Sequence, residues 1–150
     1  SWVVRSVGYR FRLVELAEEI SDRMPAYVAQ RVQDSLNADR KAVNGAIVLL
    51  LGVTYKANVS DQRETPARPL AEHLTAMGAD VRYFDPHADT FNFNGQGLVG
   101  EDDLETALAN ADLAVLLQAH NEIFGSGLLN RARRILDTRG VLSGDNVERL

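Results

Sequence analysis

The chain has 150 residues, of which 45% are hydrophobic and 25% charged, so length and composition predict one globular domain with a single core. Asp and Glu outnumber Lys and Arg by 21 to 16, and the net charge of −5 opposes binding to nucleic acids and anionic membranes. The sequence contains no cysteine, which excludes disulfides, thiolate metal sites and a cysteine nucleophile within these residues.

The first predicted element is a long amphipathic helix. Apolar residues recur at steps of three and four from residue 13 to residue 36, which is the spacing of one helical stripe. Pro25 interrupts this stripe, and because proline lacks an amide hydrogen, we expect either a kink or two consecutive helices with Pro25 in the first turn of the second. Residues 37–45 are polar, so we predict a helical segment over residues 1–43 and a second unit over residues 44–150.

The second unit alternates short apolar runs with helical periods. We predict strands at residues 46–53, 81–84, 113–117 and 135–136, helices at residues 66–77, 102–109 and 128–134, and a last turn at residues 145–150. Alternation of strand and helix is typical of a parallel sheet covered on both faces. The sequence therefore predicts an α/β fold, a Rossmann-like three-layer sandwich with a parallel sheet, preceded by a helical lead-in.

A glycine-rich segment at residues 95–100 matches the G-x-G-x-x-G pattern of dinucleotide-binding loops. That pattern requires a strand before it and, after it, a helix N-terminus that is free to meet a phosphate. Here a polar segment precedes the glycines, and four carboxylates between residues 101 and 105 follow them and repel anions. We therefore predict a loop and an acid-capped helix rather than a cofactor site.

The loop after the first predicted strand, residues 52–66, is the better candidate for a ligand site. It carries Lys56, one of two lysines in the chain, and Arg63. Loops at the carboxyl ends of parallel strands are where open α/β folds bind ligands. Thr65 can cap a helix whose first position is Pro66, which leaves backbone amides facing the loop. Together these groups suit a diphosphate or a carboxylate.

An alternative interpretation treats the same segment as a solvated loop. Lys56 would then pair with Asp61, and Arg63 with Glu64. The residues alone leave both interpretations open, although loops longer than the usual few residues between a strand and its helix are often functional.

Three histidines and one arginine are further site candidates. His73, His87 and His120 share no metal-ligand spacing, and we expect His73 on a helix surface. His87 and His120 follow predicted strands, so both can line the carboxyl edge of the sheet, and we interpret them as loop residues rather than general bases. Arg139 also follows a predicted strand and can reach the ligand edge.

Four segments carry a resemblance to a known family: residues 52–66, Tyr83-Phe84-Asp85-Pro86, Leu136-Asp137-Thr138-Arg139-Gly140 and residues 20–25 with Met24-Pro25. They are similar to the G-(aromatic)-K-P-N-x-D-D-x-R-E-S-P, Y-D-P, D-(G/T)-R and N-D-x-M-P elements of the UDP-glucose/GDP-mannose dehydrogenases. The chain resembles the C-terminal domain of that family, and its Met-Pro and Asp-Thr-Arg-Gly forms lean toward the UDP-N-acetyl-mannosamine dehydrogenase branch. It departs from the family pattern at Ala57, Ser60 and Thr65, which replace proline, aspartate and serine.

The resemblance implies a UDP-sugar-binding domain of an enzyme that uses NAD to oxidise the C6 alcohol of a UDP-sugar twice, to a carboxylate. It implies that Lys56 reaches the substrate, that Arg139 contacts the UDP-sugar diphosphate, and that Arg63 approaches the NAD diphosphate. In this family an N-terminal domain binds most of the NAD, and a cysteine forms the covalent intermediates. Since these residues contain neither, we expect a fragment that is inactive alone.

The expected partner is a UDP-sugar, and the expected state of the full-length protein is a homodimer or higher homo-oligomer. We expect a cytoplasmic location, because the sequence shows no apolar run of transmembrane length and no secretory signal. Two alternatives stay open. One is a stand-alone nucleotide-binding or regulatory module that shares the fold, and the other is an oligomerisation unit that uses the stripe of residues 13–36 as a partner surface.

Overall fold

The computed structural model describes residues 12–150 of the chain. In chain order the elements are α1 (Arg12–Ala38), β1 (Ile47–Leu51), α2 (Ala67–Ala76), β2 (Asp80–Phe84), β3 (Asn92–Phe93), β4 (Gln96–Gly97), β5 (Val99–Gly100), α3 (Leu104–Asn110), β6 (Leu113–Leu116), α4 (Asn121–Gly125), a 3₁₀ helix (Leu128–Arg131), β7 (Ile135–Asp137) and β8 (Val147–Arg149).

Six of these strands form a parallel sheet in the order β5-β2-β1-β6-β7-β8. The first strand is central, because Val48 of β1 pairs with Val81 on one side and Leu113 on the other. After β1 the chain adds β2 and then β5 on one side of it. It then crosses to the other side of β1 and adds β6, β7 and β8 in turn. This reversal opens a crevice at the carboxyl ends of β1 and β6, which is where ligands bind in folds of this kind.

Alternate residues of the central strand face two separate cores. Val48 and Leu50 pack with α1 and α2 on one face, whereas Leu49 and Leu51 pack with α3 and the 3₁₀ helix on the other. All four side chains are at most 1% exposed, which explains why this strand is apolar at every position. The result confirms the predicted three-layer α/β sandwich.

Of the two alternatives expected at Pro25, a kink or two consecutive helices, the second is wrong, because helix α1 runs continuously through Pro25. The second half of α1 is part of the core between the helices and the sheet, where Val28, Val32 and Leu36 are buried. Pro25 is itself buried. Packing of this half offsets the backbone hydrogen bond that a proline removes from a helix.

The first half of α1 is left uncovered by the sheet. Its large apolar side chains are 38–78% exposed, and they are Leu13, Val14, Leu16, Ile20 and Met24. They continue the stripe whose later members are buried, so one helical face changes from solvent to core along its length. Among the described residues, no helix is both long enough and apolar enough to span a membrane.

Short segments account for the differences from the sequence predictions. Residues 145–150, predicted as a turn, contain β8, which pairs in parallel with β7. The predicted helix at residues 128–134 is one 3₁₀ turn, and the preceding helix α4 was not predicted. Segments this short depend on hydrogen-bond partners from elsewhere in the chain, which periodicity does not reveal.

The glycine pattern at residues 95–100 does not form a nucleotide-binding loop. Asn94 and Gly95, with φ of +46° and +76°, turn the antiparallel β3–β4 hairpin. The helix that follows, α3, is capped by Asp103, whose carboxylate accepts the Thr106 N–H at 2.7 Å. The acid-capped helix is confirmed, and the predicted loop is a hairpin followed by an edge strand.

Candidate functional site

The loop after β1, residues 52–66, begins at a turn that requires glycine. Gly52 has φ of +78°, and a Cβ atom there would lie 2.6 Å from the Cβ of Gln118. The Gly52 N–H donates to the carbonyl of Phe84 at 2.9 Å. These contacts place the start of the loop between the ends of β2 and β6.

Asp85, directly after β2, holds the first residues of this loop. Its buried carboxylate accepts the N–H groups of Val53 and Thr54 at 2.6 and 3.0 Å and that of His87 at 2.8 Å. The ring of His120 adds a fourth contact at 3.2 Å. Burial raises the pKa of Asp85, but these donors outweigh it and hold the pKa below its ordinary value. Asp85 is therefore an ionised acceptor beneath the loop.

His120 is fully buried and connects the loop to the segment after β6. Its Nδ1 accepts the N–H of Asn58 at 2.9 Å, and its Nε2 lies 3.1 Å from Thr54 Oγ1. Because Nδ1 is an acceptor, the proton of the neutral ring lies on Nε2, which faces Asp85. Asn58 has a left-handed φ of +62°, and its side chain accepts the N–H of Asn121 at 2.9 Å.

Lys56 lies between anchored neighbours, and its own side chain is exposed. Gln118 Nε2 donates to the Tyr55 carbonyl at 2.7 Å, and the Tyr55 N–H donates to the Asp61 carbonyl at 2.7 Å. The Lys56 ammonium lies 5.8 Å from the centre of the Tyr55 ring and forms no ion pair within residues 12–150. The backbone is thus held in place and the charge is available to a ligand.

Arg139 is presented in the same way by the loop after β7. Asp137, the last residue of that strand, is fully buried and accepts the N–H groups of Arg139, Gly140 and Leu142 at 2.8, 3.0 and 2.7 Å. The Arg139 guanidinium forms no ion pair with any described residue. A buried carboxylate therefore fixes the backbone of a second exposed cation.

Lys56 and Arg139 line the same open cleft at the carboxyl edge of the sheet. The cleft measures ≈ 350 Å³, and its other lining residues are Tyr55, Ala57, Pro66 and Gln118. None of the lining residues is acidic, so two positive charges that form no ion pair with a described residue converge in a chain whose net charge is −5. An arginine fork beside a lysine ammonium is suited to a diphosphate or a carboxylate.

An apolar groove adjoins this cleft. It shares Pro66, Gln118 and Arg139 with the cleft, and its apolar lining consists of Met24, Pro25, Val28, Leu70, Leu117 and Leu150. These side chains come from α1, α2, the segment after β6 and the last residue of the chain. A ligand that spans both would meet positive charge at one end and an apolar wall at the other.

Arg63 does not line the cleft. Its Nε and Nη2 each donate to the Asp61 carboxylate at 2.9 Å, and its side chain is 88% exposed. The Arg63 guanidinium lowers the pKa of Asp61 to about 2. The alternative interpretation is wrong about Arg63, which pairs with Asp61 rather than Glu64. Lys56 forms no ion pair with Asp61, but its charge helps to lower the pKa of that carboxylate.

The predicted cap of α2 is present. Thr65 Oγ1 accepts the N–H of Ala67 at 3.2 Å, and Pro66 already has helical angles of −68° and −10°. The helix begins at Ala67, one residue later than predicted.

One histidine lies on a helix surface, and the other two lie after strand ends. His73 is exposed on α2, as predicted. His87 and His120 share the carboxyl edge, with ring centres 4.9 Å apart. Sequence reasoning missed the anchoring contacts of His120, Asp85 and Asp137. The signal that could have revealed Asp85 and Asp137 is a carboxylate at the end of an apolar strand, directly before turn residues.

A parallel sheet with a central reversal of strand order and a cationic cleft at that reversal defines a Rossmann-like nucleotide-binding domain. Residues 49–144 match the UDP binding domain of the UDP-glucose/GDP-mannose dehydrogenase family. The chain belongs to this family, which confirms the resemblance seen in its motifs.

Several dehydrogenases of this family are similar to the chain. The UDP-N-acetyl-D-mannosamine dehydrogenase of Methanococcus maripaludis is 32% identical over 120 residues, which are 80% of this chain and 26% of that protein. The NDP-N-acetyl-D-galactosaminuronic acid dehydrogenase of Ralstonia nicotianae is 30% identical over 97% of this chain and 34% of its own length. The structure of UDP-D-ManNAc dehydrogenase from Pyrococcus horikoshii shares the fold with a TM-score of 0.79 and 25% identity, over 97% of this chain and 35% of that one. The chain thus spans about a quarter to a third of the length of these proteins.

Proposed function

We propose that this chain is the nucleotide-sugar-binding part of an NAD-dependent UDP-sugar 6-dehydrogenase, with Lys56 and Arg139 as its substrate-binding cations. The observation that carries the proposal is the cleft beside the reversal of strand order, where neither cation forms an ion pair with residues 12–150. Membership of the family supports a UDP-sugar as the ligand.

The two cations have different roles in this proposal. Arg139 offers a planar fork of N–H donors that matches the paired oxygens of a diphosphate. Lys56 offers a point charge on a flexible stem, which can reach a sugar oxygen beyond the diphosphate. The adjoining groove supplies an apolar wall for the rest of the ligand.

We propose that Arg63 contacts the diphosphate of NAD. A domain outside these residues would make most of the contacts with NAD. Its position fits such a contact, because the guanidinium is exposed outside the substrate cleft. Asp61 occupies two of its nitrogens, so an incoming phosphate would compete with that carboxylate. NAD supplies the hydride acceptor, and this chain supplies charge to hold it.

For the particular substrate, we propose an N-acetylated UDP-hexosamine such as UDP-N-acetyl-mannosamine. The names of the M. maripaludis and P. horikoshii relatives support this choice. The homo-oligomeric state and the cytoplasmic location expected from the sequence stay predictions of the same proposal.

Calorimetry with UDP and ADP tests the binding proposal. We expect tighter binding of UDP, and a loss of about tenfold or more in affinity for both Lys56→Ala and Arg139→Ala, because each removes a charge-assisted contact. Arg23→Ala is the matched control, since Arg23 is exposed on α1 and pairs with Glu19. Equal affinity for UDP and ADP would favour the stand-alone nucleotide-binding module, and unchanged affinity in both cleft variants would contradict the assigned site.

An activity assay tests the expectation that the chain is silent alone. With NAD and UDP-N-acetyl-mannosamine, we expect no NADH, because the cysteine-based chemistry implied by the family needs a thiol that this sequence does not contain. Turnover by these 150 residues would refute that mechanism for this protein.

A further inference from the structure

Beneath the Lys56 loop, the ring of His120 makes a different hydrogen bond on each side. Nδ1 accepts the Asn58 N–H at 2.9 Å, and Nε2 lies 3.2 Å from the Asp85 carboxylate. A neutral ring with its proton on Nε2 satisfies both contacts at once. The reverse tautomer would place one N–H against the amide of Asn58 and a bare nitrogen against a carboxylate.

The Asn58 contact controls the path of the loop next to Lys56. Asn58 lies two residues after Lys56 and adopts a left-handed φ of +62°, which is uncommon for a residue other than glycine. Its amide is held by His120, and its side chain by the N–H of Asn121. Without the acceptor on His120, this partly buried amide would lose the acceptor that it has among the described residues.

We propose that His120 is a positioning residue for the substrate site: its neutral ring holds the Lys56 loop through the Asn58 amide, and protonation of the ring releases the loop and weakens ligand binding. The physical reason is that an imidazolium has a hydrogen on both nitrogens and therefore no acceptor. The ligand part of this inference rests on the proposed UDP-sugar function. The loop part depends on the geometry alone.

The titratable groups around His120 come from two other elements. Asp85, at the end of β2, faces Nε2 and attracts a charged ring, so the unfavourable contact created by protonation is with Asn58. The ring of His87 lies 4.9 Å away, and Glu122 of α4 lies 3.4 Å from the Nε2 of His87. Because the His87 ring contacts that of His120, its contribution needs its own variant.

Two amide substitutions test the hydrogen bonds of Nδ1 and Nε2 separately. In His120→Asn, the side-chain oxygen occupies a position near Nδ1, so it keeps an acceptor for Asn58 and cannot be protonated. In His120→Gln, the longer amide reaches the position of Nε2, so it keeps a donor for Asp85 and leaves Asn58 without an acceptor. Both variants remove the imidazole ring, so the packing contacts that each one loses are similar.

Calorimetry with UDP-N-acetylglucosamine at about pH 8 and about pH 5.5 tests the proposal. Each phosphate of this probe has one ester bond, one anhydride bond and a single ionisable oxygen, so the probe keeps its charge over the histidine range. We expect the wild type to bind about tenfold more weakly at the lower pH, as the loss of one hydrogen bond predicts. His120→Asn should show little pH dependence, and His120→Gln should bind about tenfold more weakly at both pH values. His73→Gln and His87→Gln should keep the wild-type pH dependence.

An NMR titration without ligand separates this inference from the proposed function. We expect the Asn58 amide resonance to shift as the ring nitrogens of His120 titrate, and to be independent of pH in His120→Asn. An Asn58 amide that does not follow His120, or equal binding by the Asn and Gln variants, would overturn the inference. Absence of binding at about pH 8 would refute the UDP-sugar proposal and leave the loop result standing. If either variant fails to fold, the wild-type titration decides.

Discussion

Two buried aspartates at the ends of strands determine where the cleft cations lie. Asp85 binds backbone amides at the start of the Lys56 loop, and Asp137 binds those around Arg139. Neither carboxylate is in the lining of the cleft. The cations are thereby presented on ordered backbone without being neutralised, which reduces the ordering cost of ligand binding.

The substitution Asp85→Asn should destabilise the protein by about 3 kcal/mol. An amide has one oxygen to accept the bonds that two carboxylate oxygens accept now, and its NH₂ group would face other donors. Urea unfolding measures the effect. Asp89→Asn is the control, because Asp89 is exposed four residues away, and an equal effect of both changes would contradict the role given to Asp85.

Stability should fall when the pH drops below about 4, the ordinary pKa of an aspartate in an unfolded chain. The folded pKa of Asp85 is lowered, so its stabilising contribution is fully present above that value and is lost as pH falls through the folded pKa. Urea unfolding from about pH 6 to about pH 2.5 should show this decline, and Asp85→Asn should show a shallower one. A slope that does not differ between the two proteins would contradict the prediction. Asp61, Asp103 and Asp112, whose pKa values are also lowered, account for the part that remains.

At the scale of elements, the sequence predicts the long periodic segments and misses the short ones. The stripe of α1 and the apolar runs of β1 and β6 determine their structure locally, because burial on one or two faces leaves a regular pattern. β8 and the β3–β4 hairpin depend on hydrogen bonds to neighbours, so their own few residues do not reveal them.

The sequence likewise predicts some features of the site and misses others. Lys56 and Arg139 are predictable, since a cation directly after a strand lies at the ligand edge of a parallel sheet. The contacts of His120 with Thr54 and Asn58 are not predictable, because they join residues more than 60 positions apart. Their existence depends on β1 and β6 being neighbours, which the alternation of elements does not specify.

The two halves of α1 should respond differently to truncation of apolar side chains. Leu36→Ala should destabilise the protein by about 3 kcal/mol, because Leu36 is 1% exposed within the core. Leu16→Ala, at a position 52% exposed, should change stability by less than about 0.5 kcal/mol. Urea unfolding of both variants measures the difference, and similar losses would mean that the first half of the helix is also part of the core.

For the whole molecule, the uncovered half of α1 predicts self-association. Leu13, Leu16 and Ile20 present an apolar stripe on a chain that is otherwise typical of a globular domain. We expect a dimer or larger species by light scattering coupled to size exclusion, and a shift toward monomer in Leu16→Glu. Glu18→Gln is a control on the same helix, outside the stripe. A wild-type monomer would contradict this prediction.

Helix α1 also gives the molecule a mechanical property. It is unbroken through Pro25, and Met24 and Pro25 form part of the wall of the apolar groove beside Arg139. The thirteen residues from Arg12 to Met24 correspond to a rod of about 18 Å that ends at this wall. Another body that packs against the exposed end of the rod would therefore act on the same element that forms part of this wall. The exposed apolar surface and the groove beside Arg139 are thereby connected through one continuous helix.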